Sequence, residues 1–586
     1  MLYFFLFSSF LSNPARSAYT QAHFGALFLL RGVTESGRWE VANPYFCVNF
    51  PLLLCHVSII LYLCTQISKF NKIMAQEDVF KKIVSHCKEY GFVFPSSEIY
   101  DGLGAVYDYG QNGVELKNNI KQYWWKAMTM LHENIVGIDS AIFMHPTIWK
   151  ASGHVDAFND PLIDNRDSKK RYRADVLIED QIAKYDEKIQ KEVEKARKRF
   201  GDQFDEAKYL ETSPRVAETK QKRDALHERY AKAMQGPDLD ELKQIILDEE
   251  IVDPISGTKN WTDVRQFNLM FSTEMGSTAD GSMKIYLRPE TAQGIFVNYL
   301  NVQKTGRMKI PFGIAQIGKA FRNEIVARQF IFRMREFEQM EMQFFVHPGT
   351  ELEWFPKWKE TRMKWHLALG FGAENYRFHD HDKLAHYANA ATDIEFKMPF
   401  GFKEVEGIHS RTNFDLSQHE KYSGKSIKYF DPQTNESYTP FVIETSIGVD
   451  RMFLSIMCHS FCEEKLENGE TRVVLKLPAA LAPVKLAVMP LVKKDGLPEK
   501  AREIINDLKF HFNCQYDEKD SIGKRYRRQD AIGTPYCVTV DHDSLNDGKV
   551  TLRFRDTMEQ ERVNISDLAS IIEDKVSIAS LLKKLQ

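Results

Sequence analysis

"FRNEIVARQFIFRMREFEQMEMQFF", residues 321 to 345, sets four arginines and four glutamates among aromatic and methionine side chains. From Phe332 onward its residues alternate with period two, which in a strand sends neighbouring side chains to opposite faces. One face then carries Phe332, Met334, Glu336, Glu338, Met340, Met342 and Phe344, and the other carries Arg333, Arg335, Phe337, Gln339, Glu341 and Gln343. The first set can lie on a core. The second presents guanidinium, aromatic and carboxylate groups together, which describes either the wet side of an antiparallel sheet or a binding site.

The surrounding segments favour a site. Arg322 and Glu324 lead through a loop containing Arg328 into this strand, so the two strands read as a hairpin with arginines at its base and tip, and arginine's planar fork suits phosphate oxygens. "FVIETSIGVDRMF" puts Glu444 and Ser446 on one strand face and turns at Gly448 into a helix carrying Arg451. "LRPETAQGIF" offers Arg288 and Glu290, and "FKEVEGIHSRTNFDLSQH" offers Glu404, Glu406 and Arg411. Short alternating segments dominate from about Tyr286 to Phe453, as in a mostly antiparallel sheet. Arginines and glutamates on separate strands would suit a ligand carrying phosphate, ammonium and a divalent ion.

The chain of 586 residues, 43% hydrophobic and 27% charged, reads as several globular domains. Its net charge of -3 means that any nucleic-acid contact must come from local basic surfaces. Eight cysteines form no dense disulfide pattern, so a reducing, cytoplasmic location is expected. Residues 1–73 hold few charges, and their apolar run "NFPLLLCHVSIILYLC" is too short and interrupted for a membrane span and too far from the N-terminus for a signal peptide. An amphipathic helix opens at Met74, and the expectation is that the native protein starts there. In residues 113–128, Leu116, Ile120 and Trp124 form one apolar helical stripe that needs a partner surface. Residues 168–250 read as exposed helices laced by i, i+4 charge pairs, a solvated insertion or an arm that grips a partner. After Pro483, strands and helices alternate in a compact α/β domain of about 100 residues.

"FRNE" followed by "FRMREFEQME" resembles motif 2 of class II aminoacyl-tRNA synthetases, and "GVDR" after "ETSIG" resembles motif 3. "YDYGQNGVELKNNIKQYWW", "RPETAQGIF" and "VIETSIGVDR" narrow the resemblance to the dimeric, single-polypeptide glycyl-tRNA synthetases, over nearly all of the chain from Met74. The implied fold is α+β: a class II antiparallel sheet with flanking helices in residues 74–478, the charged helical insertion, and an anticodon-binding α/β domain in residues 479–586. The implied activity is ligation of glycine to tRNA(Gly) through a glycyl-adenylate, with ATP and Mg²⁺ and with no general base. A non-catalytic binding subunit on the same fold would be expected to lack the ATP residues, and a ligase for another acceptor would not need the C-terminal domain.

The resemblance also implies roles. Arg322, Glu324 and Arg451 are the expected catalytic residues, with Arg322 on the α-phosphate and Phe337 and Arg451 sandwiching the adenine. The expected ATP site further includes Asn323, Phe332, Arg333, Met334, Arg335, Glu336, Glu404, Val405, Gly448, Val449 and Asp450, with Arg333 and Arg335 and the loop residue Arg328 on the outer phosphates and Glu404 holding Mg²⁺. Expected around glycine are Arg173, Glu290, Phe337, Glu338, Gln339, Met340, Glu341, Glu444, Thr445, Ser446, Ile447 and Gly448. Some bacterial relatives have a Cys-x-x-Cys zinc pair where this chain reads "IDNRDSKK", so no zinc is expected. In the C-terminal domain Lys524, Arg525, Arg527, Arg528, Arg553 and Arg555 are expected to neutralise tRNA phosphates. The segment around Trp124 resembles motif 1, which implies a homodimer.

Overall fold

The computed structural model describes residues 78–586 except 202–203, 237, 277–281, 325–328, 382–383 and 386; the expectations for residues 1–73 and for Arg328 fall outside the described residues. The fold is organised by a seven-stranded sheet whose order across the sheet is Tyr376–Asp380, Ala390–Met398, Gly401–Thr412, Phe441–Gly448, Glu336–Val346, Phe312–Phe321 and Ile135–Gly137. Every neighbouring pair is antiparallel except the last, where Ile135–Gly137 runs parallel to Phe312–Phe321. The opening stretch supplies the strand Glu336–Val346 and pairs with Phe312–Phe321 as the predicted hairpin.

Period two explains how this central strand is covered. Met340, Met342, Phe344 and Val346 enter the largest core cluster with the helices Gln111–Thr129, Glu351–Leu367 and Val449–Ser460. Phe345, of opposite parity, packs with Phe296 and Tyr299 of the helix Ala292–Gly306. Each such side chain contributes about 1.5–3 kcal/mol on burial. Thus the second face is neither wet nor wholly site: it is core at its C-terminal end and opens into a cavity where Phe337, Gln339 and Glu341 stand. The period does not extend back to Phe332 as expected, because the strand begins at Glu336 and a short 3-10 turn occupies Phe330–Phe332.

The stripe of Leu116, Ile120 and Trp124 is buried within the same chain, against Ile578, Leu581 and Leu582 of the C-terminal tail among others. Its partner surface is therefore intramolecular. The charged insertion contains the long helices Ala174–Phe200 and Pro214–Gln235, with i, i+4 pairs Lys191–Glu187 and Lys222–Glu218. These helices stand on a three-stranded antiparallel sheet of Lys170–Arg173, Asn159–Asn165 and Arg265–Asn268, so the structural unit extends on both sides of the charged run. The C-terminal domain is a five-stranded mixed sheet, Cys514–Tyr516, Leu486–Pro490, Tyr536–Val540, Lys549–Phe554 and Gln560–Asn564, with its own core. Among the described residues, no helix is long and apolar enough to cross a membrane.

Candidate active site

A cavity of about 550 Å³ opens on the sheet between the central strand, the strands Gly401–Thr412 and Phe441–Gly448, and the base of the insertion. Arg322, Glu324, Phe332, Arg333, Met334, Phe337, Glu404, Gly448, Asp450 and Arg451 line one part of it. Arg173, Glu290, Gln339, Glu341, Glu444 and Ser446 line the other. Arg322 is steadied by Nε donating to the Pro289 carbonyl at 3.0 Å, and its guanidinium lies 5.3 Å from the Phe337 ring and 5.7 Å from that of Phe158. It has no ion-pair partner among the described residues. Arg451 lies 4.5 Å over the Phe332 ring and pairs with Glu404 at 2.9 Å. Phe337 thus faces Arg322 and Phe332 faces Arg451, as two separate guanidinium–ring pairs on the cavity wall.

The inner end concentrates carboxylates. Among the described residues, Glu341 accepts hydrogen bonds only from neutral donors: Thr291 Oγ1, Ser446 Oγ at 2.8 Å and Gln339 Nε2 at 3.3 Å. Glu444 instead meets Arg411 at 2.9 Å, Gln343 at 2.8 Å and His409 Nδ1 at 3.1 Å. Glu290 takes a hydrogen bond from Gln293 at 2.9 Å and faces His154 at 3.5 Å. These partners split the three acids. Burial, reinforced by the charges of Glu444 and Glu290, pushes the Glu341 carboxyl up to about 8. Burial acts the same way on Glu444, but Arg411 and then His409 outweigh it and hold that carboxyl at about 2. Glu290 is likewise held well below the usual carboxylate range, burial being overcome chiefly by His154 and Arg411. One acid of the cluster, Glu341, thus has no ion-pair partner among the described residues.

Several expected site residues are elsewhere. Arg335 donates to the carbonyls of Glu324 and Gly104, each at 3.0 Å, because the chain before Glu336 is not yet in the strand and its parity fails. Asn323 does not line the cavity; its amide is tied to the Leu269 carbonyl at 2.8 Å. Glu336 pairs with Lys319 at 2.7 Å, and Glu338 with Lys117 at 2.9 Å, both with the parity that points away from the cavity. Met340, Val405, Ile447 and Val449 belong to the core cluster, and Thr445 is fully buried beside them in sequence. Contiguous runs along a strand cannot all face one ligand. Asp450 reaches the cavity wall, but its carboxylate is engaged by Lys117 at 2.8 Å, the Glu338 amide at 2.9 Å and the Tyr109 hydroxyl.

Arg411, a candidate with no assigned role, lines the cavity too, and Phe158, Asp160, Tyr387, Gly407 and His409 are lining residues outside the expected set. Arg411 anchors the inner end, forked onto Asp415 at 2.9 and 3.0 Å and stacked 4.2 Å from the Tyr387 ring. Gly407 leaves room for the His409 ring, which a Cβ there would meet at 2.8 Å. The strand parity shared by Gly407, His409 and Arg411 is the signal that could have grouped them. Nothing in sequence brings Phe158 or Asp160 to the site.

The C-terminal arginines are a further correction. Arg525, Arg553 and Arg555 are buried. Arg525 donates to the Pro490 and Asp520 carbonyls, and Arg553 forks onto Asp530 at 2.8 and 3.0 Å. Arg555 meets Asp556 at 2.7 Å and the carbonyls of Gly533 and Leu477 at 2.8 Å each. Arg527 pairs with Glu470, and Arg528 with Asp517 and Asp520. Buried arginines complete their hydrogen bonding inside the fold, so Arg525, Arg553 and Arg555 are structural, whereas Arg527 and Arg528 form their pairs at the surface.

The antiparallel sheet with one parallel edge strand, the arginine-lined cavity upon it and the appended α/β domain define a class II aminoacyl-tRNA synthetase. Family models match accordingly: the tRNA synthetase class II core domain (G, H, P, S and T) over residues 271–460, the anticodon binding domain over 485–575, and the glycyl-tRNA synthetase insertion domain 1 over 160–269. Glycine–tRNA ligase of Chlorobaculum tepidum is 53% identical over 496 residues, covering 84% of this chain and 99% of that protein. Those of Staphylococcus haemolyticus and Macrococcus caseolyticus are 51% and 49% identical, over 84% and 86% of the chain and 98% and 100% of the relatives. The chain belongs to the glycine–tRNA ligase family.

Proposed function

We propose that the cavity activates glycine with ATP and then passes the glycyl group to the 3′ end of tRNA(Gly). The observation that carries this reading is a single cavity uniting an unpaired arginine, Arg322, with a carboxylate cluster at its inner end. The glycine ammonium would occupy the position between Glu341 and Glu290, supplying the cation that Glu341 lacks. Glycine offers no side chain, so recognition rests on this charge and on walls too close for an added methyl.

With glycine so held, its carboxylate points towards the arginine end and attacks the α-phosphorus of ATP, and the phosphorus–oxygen bond to pyrophosphate breaks. Arg322 neutralises the charge that builds on the α-phosphate, and Arg333 takes the outer phosphates; this is positioning and electrostatic stabilisation, with no proton to move in the step. The rings of Phe332 and Phe337 and the guanidinium of Arg451 offer stacking surfaces for adenine. Glu404, an oxygen donor at the exposed rim of the cavity, fits a Mg²⁺ ion. Among the described residues there is no cluster of three or more ligating groups, so such an ion would be shared with the phosphates, as Mg²⁺ usually is. When bound it would supply charge neutralisation on the phosphate oxygens.

Glycine-dependent ATP–pyrophosphate exchange without tRNA, followed by charging of tRNA, tests the reading; absence of exchange in the intact chain refutes it. A cytoplasmic location and a homodimer are part of the same proposal. The dimer draws support from the family resemblance and from Ile99, Tyr100 and Leu103, apolar side chains 87%, 80% and 59% exposed on one short segment. Sedimentation at micromolar concentration should give about twice the 68.0 kDa chain mass, and a monomer alone would overturn that part.

A further inference from the structure

The arginines that cannot bind tRNA phosphates join two parts of the molecule. The hairpin of Phe461–Lys465 and Thr471–Leu475 follows directly on the helix that carries Arg451, and its Leu475 and the following Leu477 belong to the catalytic core cluster. From this hairpin Arg472, only 3% exposed, forks onto Glu464 at 2.6 and 3.1 Å and reaches Asp530 at 3.1 Å. Asp530 lies in the helix Ile522–Ile532 of the C-terminal domain, is 1% exposed, and also receives Arg553. Arg555 extends the contact by donating to Leu477 O on the catalytic side and Gly533 O on its own. Arg472, Arg553 and Arg555 are balanced by Glu464, Asp530 and Asp556.

Such a cluster is held to one geometry, because a buried charge that loses its partner is left without solvation. The contact is also close: a Cβ on Gly533, whose φ is +83°, would meet Leu477 Cδ1 at 2.6 Å. At its other end the domain is tied down again, since Ile578, Leu581 and Leu582 enter the catalytic core and Lys584 donates to the Ala368 carbonyl at 3.2 Å. Attachment at two places resists rotation in a way that one linker does not.

We propose that Asp530, bridging Arg472 of the catalytic body and Arg553 of the C-terminal domain, is a positioning residue for aminoacylation: it fixes the angle of the C-terminal domain, and hence of the tRNA held there, relative to the cavity. The inference rests on the ligase reading given above. Its consequence is separable from adenylate formation, which needs only the catalytic cavity, because a misplaced acceptor end costs rate only in the transfer step.

Two variants of unrelated chemistry test it in the full-length protein. Asp530→Asn removes the shared charge, and Gly533→Ala, at the left-handed cap of the helix Ile522–Ile532, inserts a methyl against Leu477 and strains the cap without altering any charge. Both should keep glycine-dependent pyrophosphate exchange within about two-fold of the parent, while kcat/KM for tRNA in charging falls at least about ten-fold. Parallel loss of exchange and charging in Gly533→Ala, or charging left intact in either variant, overturns the proposal. If Asp530→Asn does not fold, Gly533→Ala decides alone. Absence of exchange in the parent protein would instead strike at the ligase reading.

Discussion

Arg322 and Arg553 make the instructive comparison in this molecule. The first directly follows a sheet strand and the second lies within one, and both belong to sequence clusters of basic residues. Arg322 has one nitrogen on a backbone carbonyl and the rest of its fork facing a cavity. Arg553 has its fork filled by Asp530 and is 5% exposed. Residue type is the same in the two regions. What separates a ligand-binding arginine from a structural one is whether the same chain already supplies an acceptor, and that acceptor comes from a distant segment.

The largest effect should fall on this contrast. Arg322→Ala should lower pyrophosphate exchange by roughly a thousand-fold with an unchanged melting transition, since several kcal/mol of transition-state stabilisation are lost from a group the fold does not need. Arg553→Ala should do the reverse, destabilising the C-terminal domain by about 3–5 kcal/mol because Asp530 is left buried with one arginine fewer. Exchange assays beside thermal melts measure both. Near-normal exchange by Arg322→Ala would erase the distinction.

A second contrast lies within the acid cluster, between Glu444 with its cationic partners and Glu341, which has none among the described residues. Because the folded pKa of Glu341 is raised to about 8 from 4.5, its ionisation opposes folding of the empty protein: stability is fully present below pH 4.5 and is lost as pH rises through 8. A bound ammonium favours the ionised form, so glycine binding should release a proton, and KM for glycine should fall by up to about ten-fold per pH unit towards pH 8. Glu341→Gln should bind glycine poorly and flatten that slope. A KM for glycine independent of pH from 6.5 to 8.5 in the parent would contradict the assignment.

A smaller effect separates Arg333 from Arg335. Arg333 is exposed at the cavity and paired with Glu324 at 2.9 Å, so Arg333→Ala should raise KM for ATP about ten-fold without altering stability. Arg335→Ala removes the donor from two carbonyls and should cost about 1–2 kcal/mol in a denaturant titration, with a lesser change in KM for ATP.

These contrasts also mark what the sequence could disclose. Period two correctly set Phe337, Gln339 and Glu341 on one face, and Glu444 with Ser446 on another, because a regular strand fixes side-chain direction locally. The same rule fails between Glu404 and Glu406. A bulge opposite Ile394 and Glu395 leaves Val405 as an extra residue, so Glu404 faces the cavity while Glu406 is buried with Arg362 at 2.5 Å and His366 at 2.7 Å. Such a bulge has no local signature. Nor could Asp160 or His154 be placed, because the base of the insertion reaches the cavity only through tertiary packing.

The smallest expected effect returns to the C-terminal basic cluster. Of its six cations, Lys524 is exposed and has no ion-pair partner among the described residues, whereas the five arginines are engaged by carboxylates or carbonyls. Lys524 can therefore meet a phosphate without giving up a carboxylate, whereas Arg527 and Arg528 must first leave their surface pairs, and a single exposed phosphate contact contributes little beyond the release of one counterion. Lys524→Ala should therefore weaken tRNA binding only about two- to five-fold at low salt and reduce the slope of log K against log salt by about one, with no change in the melting transition. Filter binding over a salt series measures this. An unchanged slope would mean that Lys524 makes no phosphate contact and that tRNA meets another part of the domain surface.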